Sequence, residues 1–150
     1  MTLEDGTYII SCDLGDGAKY IRYDDKGDSV RPDKRVVTLP GGVKAPEWKI
    51  KKVDNGYIVS IDGMKTGERD GYLFTDVPDE DVEKWNIEEV PQHGKDIYII
   101  NITRRERGWV FPTDAEPYQQ LLVRPLIVFP TFPPRYPAHE LFSIVPVKND

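Results

Sequence analysis

Cysteine is almost missing from this chain of 150 residues. Cys12 is the single one, so an intramolecular disulfide is excluded and packing alone must supply stability. That usage suits a reducing cytosol, and a cytoplasmic location is the expectation. Residues 1–8, MTLEDGTY, show neither the basic nor the apolar region of a secretory leader, although a mature secreted form that had lost its leader stays open. No stretch approaches the ~18 apolar residues that span a bilayer, so no membrane partner is expected. Histidine is also scarce. His93 and His139 are the only two, both beside turn residues, and the chain has too few His and Cys at useful spacing for a metal site. Phosphate loop, dinucleotide fingerprint, Gly-x-Ser-x-Gly elbow and His-Glu-x-x-His are all absent. The acidic cluster at 76–81 lacks the ordered ligand spacing of a calcium loop and reads as a solvated turn. Nothing points to paired carboxylates for glycoside hydrolysis. No enzyme, no metal and no cofactor are expected. A net charge of −6 argues against nucleic acid as a partner.

What the chain does have is repetition. Tyr8-Ile9-Ile10, Tyr57-Ile58-Val59 and Tyr98-Ile99-Ile100 each open a segment, while Trp48-Lys49-Ile50, Trp85-Asn86-Ile87 and Phe142-Ser143-Ile144 each close one. The openings recur every 40–50 residues or so, the spacing at which repeat architectures are to be sought. Within each segment apolar and polar residues alternate: Trp48 and Ile50 fall on one face, Lys49 and Lys51 on the other. Period two with β-branched and aromatic residues means half-buried strands. The 13 prolines and 12 glycines are spread as turn punctuation, and no segment shows sustained helical periodicity. With 39% apolar residues the chain is long enough to bury a core. The expectation is an all-β protein, a β-trefoil of three pseudo-repeats of four strands. It would form a single domain over 1–150 with units of about 1–54, 55–95 and 96–150. Closure would remove exposed sheet edges.

In chain order, unit one reads as strands at GTYIISC, KYIRYDD, KRVVTL and Trp48. Unit two reads as YIVSI, a short strand within 65–69, YLFTDV and KWNIEEV. Unit three reads as DIYIINI, WVFP, the apolar run LLVRPLIVF and ELFSIVPV. Between the last two strands lies the least ordinary loop in the chain, P-T-F-P-P-R-Y-P at 130–137.

Four prolines there surround one cation, Arg135. Proline fixes its own φ and pushes the preceding residue toward extended conformations, so Pro134 and Pro137 favour a presented, extended Arg135-Tyr136. Such a loop is what a substrate-like protease inhibitor needs, because rigidity lowers the entropy lost on binding. An arginine at its tip suits a trypsin-like pocket floored by aspartate. The candidate contact residue is Arg135, flanked by Pro133, Pro134 and Tyr136. The plainer reading is that the prolines steer a long return loop and Arg135 is merely solvated. A second candidate loop, 24–34, offers Lys26, Ser29 and Arg31, although Arg31 precedes Pro32 and Lys26 follows two aspartates. Lys65, Arg69 and the 104–107 cluster are weaker again.

GTYII at the start, LPGGVKAPEW at 39–48, GWVFP at 108–112 and VRPLIVFPTFPPRYPAHELF at 123–142 resemble the fungal β-trefoil serine protease inhibitors of the cospin and cnispin type, over nearly the whole chain. The resemblance implies a β-trefoil without cofactor that inhibits trypsin-like enzymes. In cospin-like members an arginine between the second and third strands enters the protease. The matching position here falls near Ser29, which is not basic. In cnispin-like members the residue is a lysine between the last two strands, and the corresponding loop here holds Arg135. The expected partner is a trypsin-like serine protease, bound by a monomer.

Two other readings stand beside this one. Inhibition of papain-like cysteine proteases, as in mycocypins, would use the glycine-bearing turns Gly15-Asp16-Gly17 and Gly41-Gly42. A carbohydrate-binding trefoil would need Gln-x-Trp elements, which are absent. Alternation makes Trp48 and Trp85 core-facing, and core packing is the preferred reading for them and for Trp109.

Overall fold

Alternating strands that each bury one face need partners on both edges, and the chain supplies them by closing on itself. A computed structural model describes residues 3–25, 33–102, 106–113 and 116–147. The first four strands are β1 (Gly6–Asp13), β2 (Ala18–Tyr23), β3 (Lys34–Thr38) and β4 (Trp48–Val53). Then come β5 (Gly56–Ile61), β6 (Met64–Arg69), β7 (Tyr72–Thr75) and β8 (Trp85–Glu89). The last are β9 (Ile97–Ile102), β10 (Arg107–Val110), β11 (Leu122–Pro125) and β12 (Phe142–Pro146). The only helical pieces among the described residues are short 3-10 turns at Asp79–Asp81, Pro91–His93 and Ala138–Glu140. All-β character is as expected, and the short strand sought within 65–69 is β6.

The expected β-trefoil is corrected by the pairing. Among the described residues, all twelve strands lie in one sheet closed into a barrel. Antiparallel pairs β1–β4, β4–β5, β5–β8, β8–β9, β9–β12 and β12–β1 run around its wall. The remaining strands do not form three interchangeable units. β7 pairs with both β3 and β11, whereas on the third side β3 meets the segment before β11 through an isolated Val37–Gln120 bridge and the hydrogen bonds Thr38 N–H to Gln119 O, Tyr118 N–H to Thr38 O and Leu121 N–H to Val36 O. The connections differ in the same way. β6 and β7 are joined through the Asp70-Gly71 turn, while residues 111–121 separate β10 from β11. Repeated strand starts dictate closure, but unequal connections give each segment its own neighbours.

The core follows the alternation. Tyr8 stands opposite Trp48, Tyr57 opposite Trp85 and Tyr98 opposite Phe142, all six buried. Trp48, Trp85 and Trp109 are fully buried, as the alternation implied for the first two. Trp109 meets Trp48, Trp85 and Phe142 edge-on at 6.4, 5.5 and 5.9 Å between ring centroids, the arrangement the ring quadrupole favours. Two indoles find acceptors, Trp48 Nε1–H on Ile21 O (3.1 Å) and Trp85 Nε1–H on Thr66 Oγ1 (2.8 Å), while Trp109 Nε1 has none among the described residues. Gly108 lets β10 approach this centre, because a Cβ there would strike Ile100 O.

The apolar run at 121–129 departs from expectation as well. Its strand ends at Pro125, and Ile127, Val128 and Phe129 lie exposed outside the barrel. Pro125 offers no N–H to continue a ladder, and the chain leaves the sheet there.

Candidate functional site

The excursion between β11 and β12, residues 126–141, is anchored at its base. Leu126 N–H donates to Glu106 O (2.8 Å), and Ile127 N–H to Glu140 Oε2 (2.7 Å). Glu140 is buried at the end of the last 3-10 turn, and its Oε1 has no partner among the described residues. Burial pushes this carboxyl above its ordinary range, and the Ile127 N–H offsets part of that.

Beyond the base, every residue from 127 to 135 is exposed. Phe129 and Arg135 form an antiparallel bridge, with Phe129 N–H donating to Arg135 O at 2.8 Å. The turn they enclose is held by its own bonds: Thr131 N–H to Phe129 O and Thr131 Oγ1–H to Pro133 O, both 2.8 Å. The Phe132-Pro133 peptide is cis. Prolines 130, 133 and 134 bring no donors of their own, so few backbone groups here need partners.

A second element steadies the arm that returns. Gln92 Nε2–H, on the Pro91–His93 turn, donates to Pro134 O at 2.6 Å. Tyr136 N–H donates to His93 Nε2 at 3.0 Å, and the two rings lie 6.2 Å apart. One turn therefore grips the residues on both sides of Arg135. The guanidinium itself forms no ion pair among the described residues and is exposed. His93 must be unprotonated at Nε2 to accept. Its pKa is lowered by burial and then by the positive charge of Arg135.

The named candidates thus separate. Arg135, Pro133 and Pro134 lie exposed on one arm, and Tyr136 is half-buried against His93. Lys26, Ser29 and Arg31 lie outside the described residues. Gly15-Asp16-Gly17 and Gly41-Gly42 belong to neighbouring turns, since Leu14, Asp16, Pro40 and Gly41 line one cavity of about 270 Å³. Asp79, Glu80 and Asp81 form an exposed acidic turn. Reading the sequence missed Gln92 and His93, whose contacts cross more than forty residues and leave no local signal. It also passed over Phe132, although an aromatic set between turn residues was visible.

Residues 1–146 match the peptidase inhibitor I66 family. The chain belongs to that family. As a peptidase inhibitor I66 member it is an inhibitor and not an enzyme. A "Serine protease inhibitor" of Lentinula edodes is 33% identical over 146 residues, spanning 96% of this chain and 98% of the relative. A proteinase inhibitor from Coprinopsis cinerea, solved at high resolution, superposes with a TM-score of 0.85 at 34% identity, covering 97% of this chain and all of that one. The resemblance to fungal serine protease inhibitors is borne out. SeviL bound to asialo-GM1 saccharide also superposes, with a TM-score of 0.66 over 96% of this chain and 99% of that one. At 13% identity that likeness is one of fold alone.

Proposed function

We propose that this I66 member inhibits serine proteases of trypsin-like specificity through the 126–141 loop, with Arg135 entering the acidic primary pocket. The observation that carries the reading is the grip on Pro134 O and Tyr136 N–H, which holds both neighbours of an exposed arginine. A loop already fixed in its binding shape loses little entropy on docking. The Arg135–Tyr136 bond has the N–H that an X–Pro bond lacks.

Docking exchanges one hydrogen bond for others. Arg135 O now accepts from Phe129 N–H, and in the complex the oxyanion-hole donors of the protease take that carbonyl. Should the bond be cleaved, the new Tyr136 amine stays held by His93 beside the acyl carbon, where proximity favours resynthesis over release. Such an interface buries about 1,600 Å² in total.

The test is titration of trypsin, with chymotrypsin, subtilisin and papain in parallel. Stoichiometric trypsin inhibition that Arg135→Ala abolishes, with the fold intact by circular dichroism, supports the reading. Full inhibition by Arg135→Ala moves the site to Lys26 or Arg31. The adjoining glycine turns at 15–17 and 41–42 favour one second reading, a wedge for a papain-type cleft, which papain inhibition would bring forward. Sugar binding through the tryptophans has no support, since all three are fully buried and none offers a face for stacking.

A further inference from the structure

Phe132 is the most exposed large apolar side chain described, at 101% of its reference area. Ile127, Val128 and Phe129, on the opposite arm of the same loop, are exposed by 54, 52 and 45%. Scattered apolar atoms on a surface are ordinary, but a run of four large ones on one projecting loop marks a contact surface. Elsewhere the chain is charge-rich, with 31% Asp, Glu, Lys and Arg.

We infer that Phe132 is a second anchor on the target protease, filling an apolar depression beside the acidic pocket that takes Arg135. This rests on the reading that the 126–141 loop faces the enzyme, and it adds what that enzyme must look like. Three observations commit the surface to this occupant. Phe132 lies three residues before Arg135, inside the turn that the Phe129–Arg135 bridge closes, so one short loop carries both side chains. The turn is held by the two Thr131 hydrogen bonds and by prolines on either side, so the ring is presented without a large ordering cost. Phenylalanine and arginine are also among the residue types enriched in the cores of protein–protein interfaces. Phe132 is not itself the residue at the cleaved bond, because the bond after it runs to Pro133, whose nitrogen carries no hydrogen. The two anchors recognise different chemistry, one cationic and one aromatic, and the selected protease carries an acidic pocket with an apolar neighbour.

The experiment compares wild type, Phe132→Ala, Phe132→Leu and Arg135→Ala as inhibitors of trypsin. Sedimentation velocity on each variant accompanies the titrations. A fully exposed side chain supports nothing in the fold, so Phe132→Ala should keep its thermal midpoint. It should weaken inhibition about 30-fold, the loss of one binding hot spot. Phe132→Leu, which keeps an apolar plug, should recover most of that loss. If Arg135→Ala weakens inhibition while Phe132→Ala stays within about twofold of wild type, the loop reading stands and the second anchor is wrong. If neither variant weakens inhibition, the loop does not face the protease and both readings fall. A wild-type dimer that dissociates in Phe132→Ala would show that a second copy of the chain covers the ring, which also overturns the inference.

Discussion

Tyr136 N–H needs an acceptor, and His93 provides one only while its Nε2 is free of a proton. Burial and then Arg135 lower the pKa of this imidazole below its ordinary 6.5, so the bond is intact at neutral pH. The other charged or titratable groups about the contact are Asp13, across the cavity that His93 lines, and Glu88 and Glu140, which act on Tyr136. The sign follows from the direction of the shift. A histidine with a lowered folded pKa contributes stability that is present above the unfolded value and is lost as pH falls through the folded one. Affinity for trypsin whose catalytic serine is replaced by alanine, which leaves the primary pocket open, should therefore hold at neutral pH and fall on acidification. In His93→Gln, whose amide oxygen can accept from Tyr136 without titrating, the profile between about pH 8 and pH 5 should be flatter. Calorimetric titrations of the two proteins across that range decide the matter. Identical profiles would remove His93 from the bracing of Arg135.

At the level of elements, the loop is governed by the short turn that ends it. Glu140 closes the Ala138–Glu140 turn and takes the Ile127 N–H, tying the exit of β11 to the entry of β12. Its carboxyl is raised by burial, so the sign is opposite to that of His93. The protonated form is the one the fold prefers, and stability falls as pH rises from the ordinary value of about 4.5 through the raised one. Thermal unfolding against pH should show that decline in wild type and a weaker one in Glu140→Gln. An unchanged slope would mean that Glu140 does not titrate with unfolding. Strands were the legible elements, because period-two alternation states which face is buried. Trp48 and Trp85 could be assigned to the core on that ground alone. The run at 121–129 misled for the same reason: apolar content signals burial by the fold, and Ile127, Val128 and Phe129 are apolar residues that the fold does not bury. Pro125 was the sign that the strand stops. Glu140 could not be read, since a buried acid has no local signature.

Across the whole molecule, recurrence foretold closure but not its form. Three Tyr-Ile starts and three aromatic-x-Ile ends imply strands that return to one another, and they do so as the β1–β4–β5–β8–β9–β12 wall. Equivalence of the three segments did not follow, because pairing beyond the wall depends on connection lengths that differ, as β7, paired with β3 and β11 besides β6, shows. The same logic places the candidate site. A closed barrel leaves no free edge to serve a partner, and recognition passes to loops, where a rigid body can hold an irregular segment in shape. Pro134 and Arg135 could be read as a presented pair from the proline pattern. Their brace from the Pro91–His93 turn could not, because it exists only once distant segments meet.

The measurement that bears most directly on Arg135 is mass spectrometry of the inhibitor after long incubation with a catalytic amount of trypsin, quenched in acid. A slow nick at one bond, Arg135–Tyr136, giving fragments 1–135 and 136–150 in a mixture with intact and still inhibitory chain, is the expected result. A nick confined to the bond after Lys26, with full inhibition retained, would place the reactive site on the other loop and contradict it.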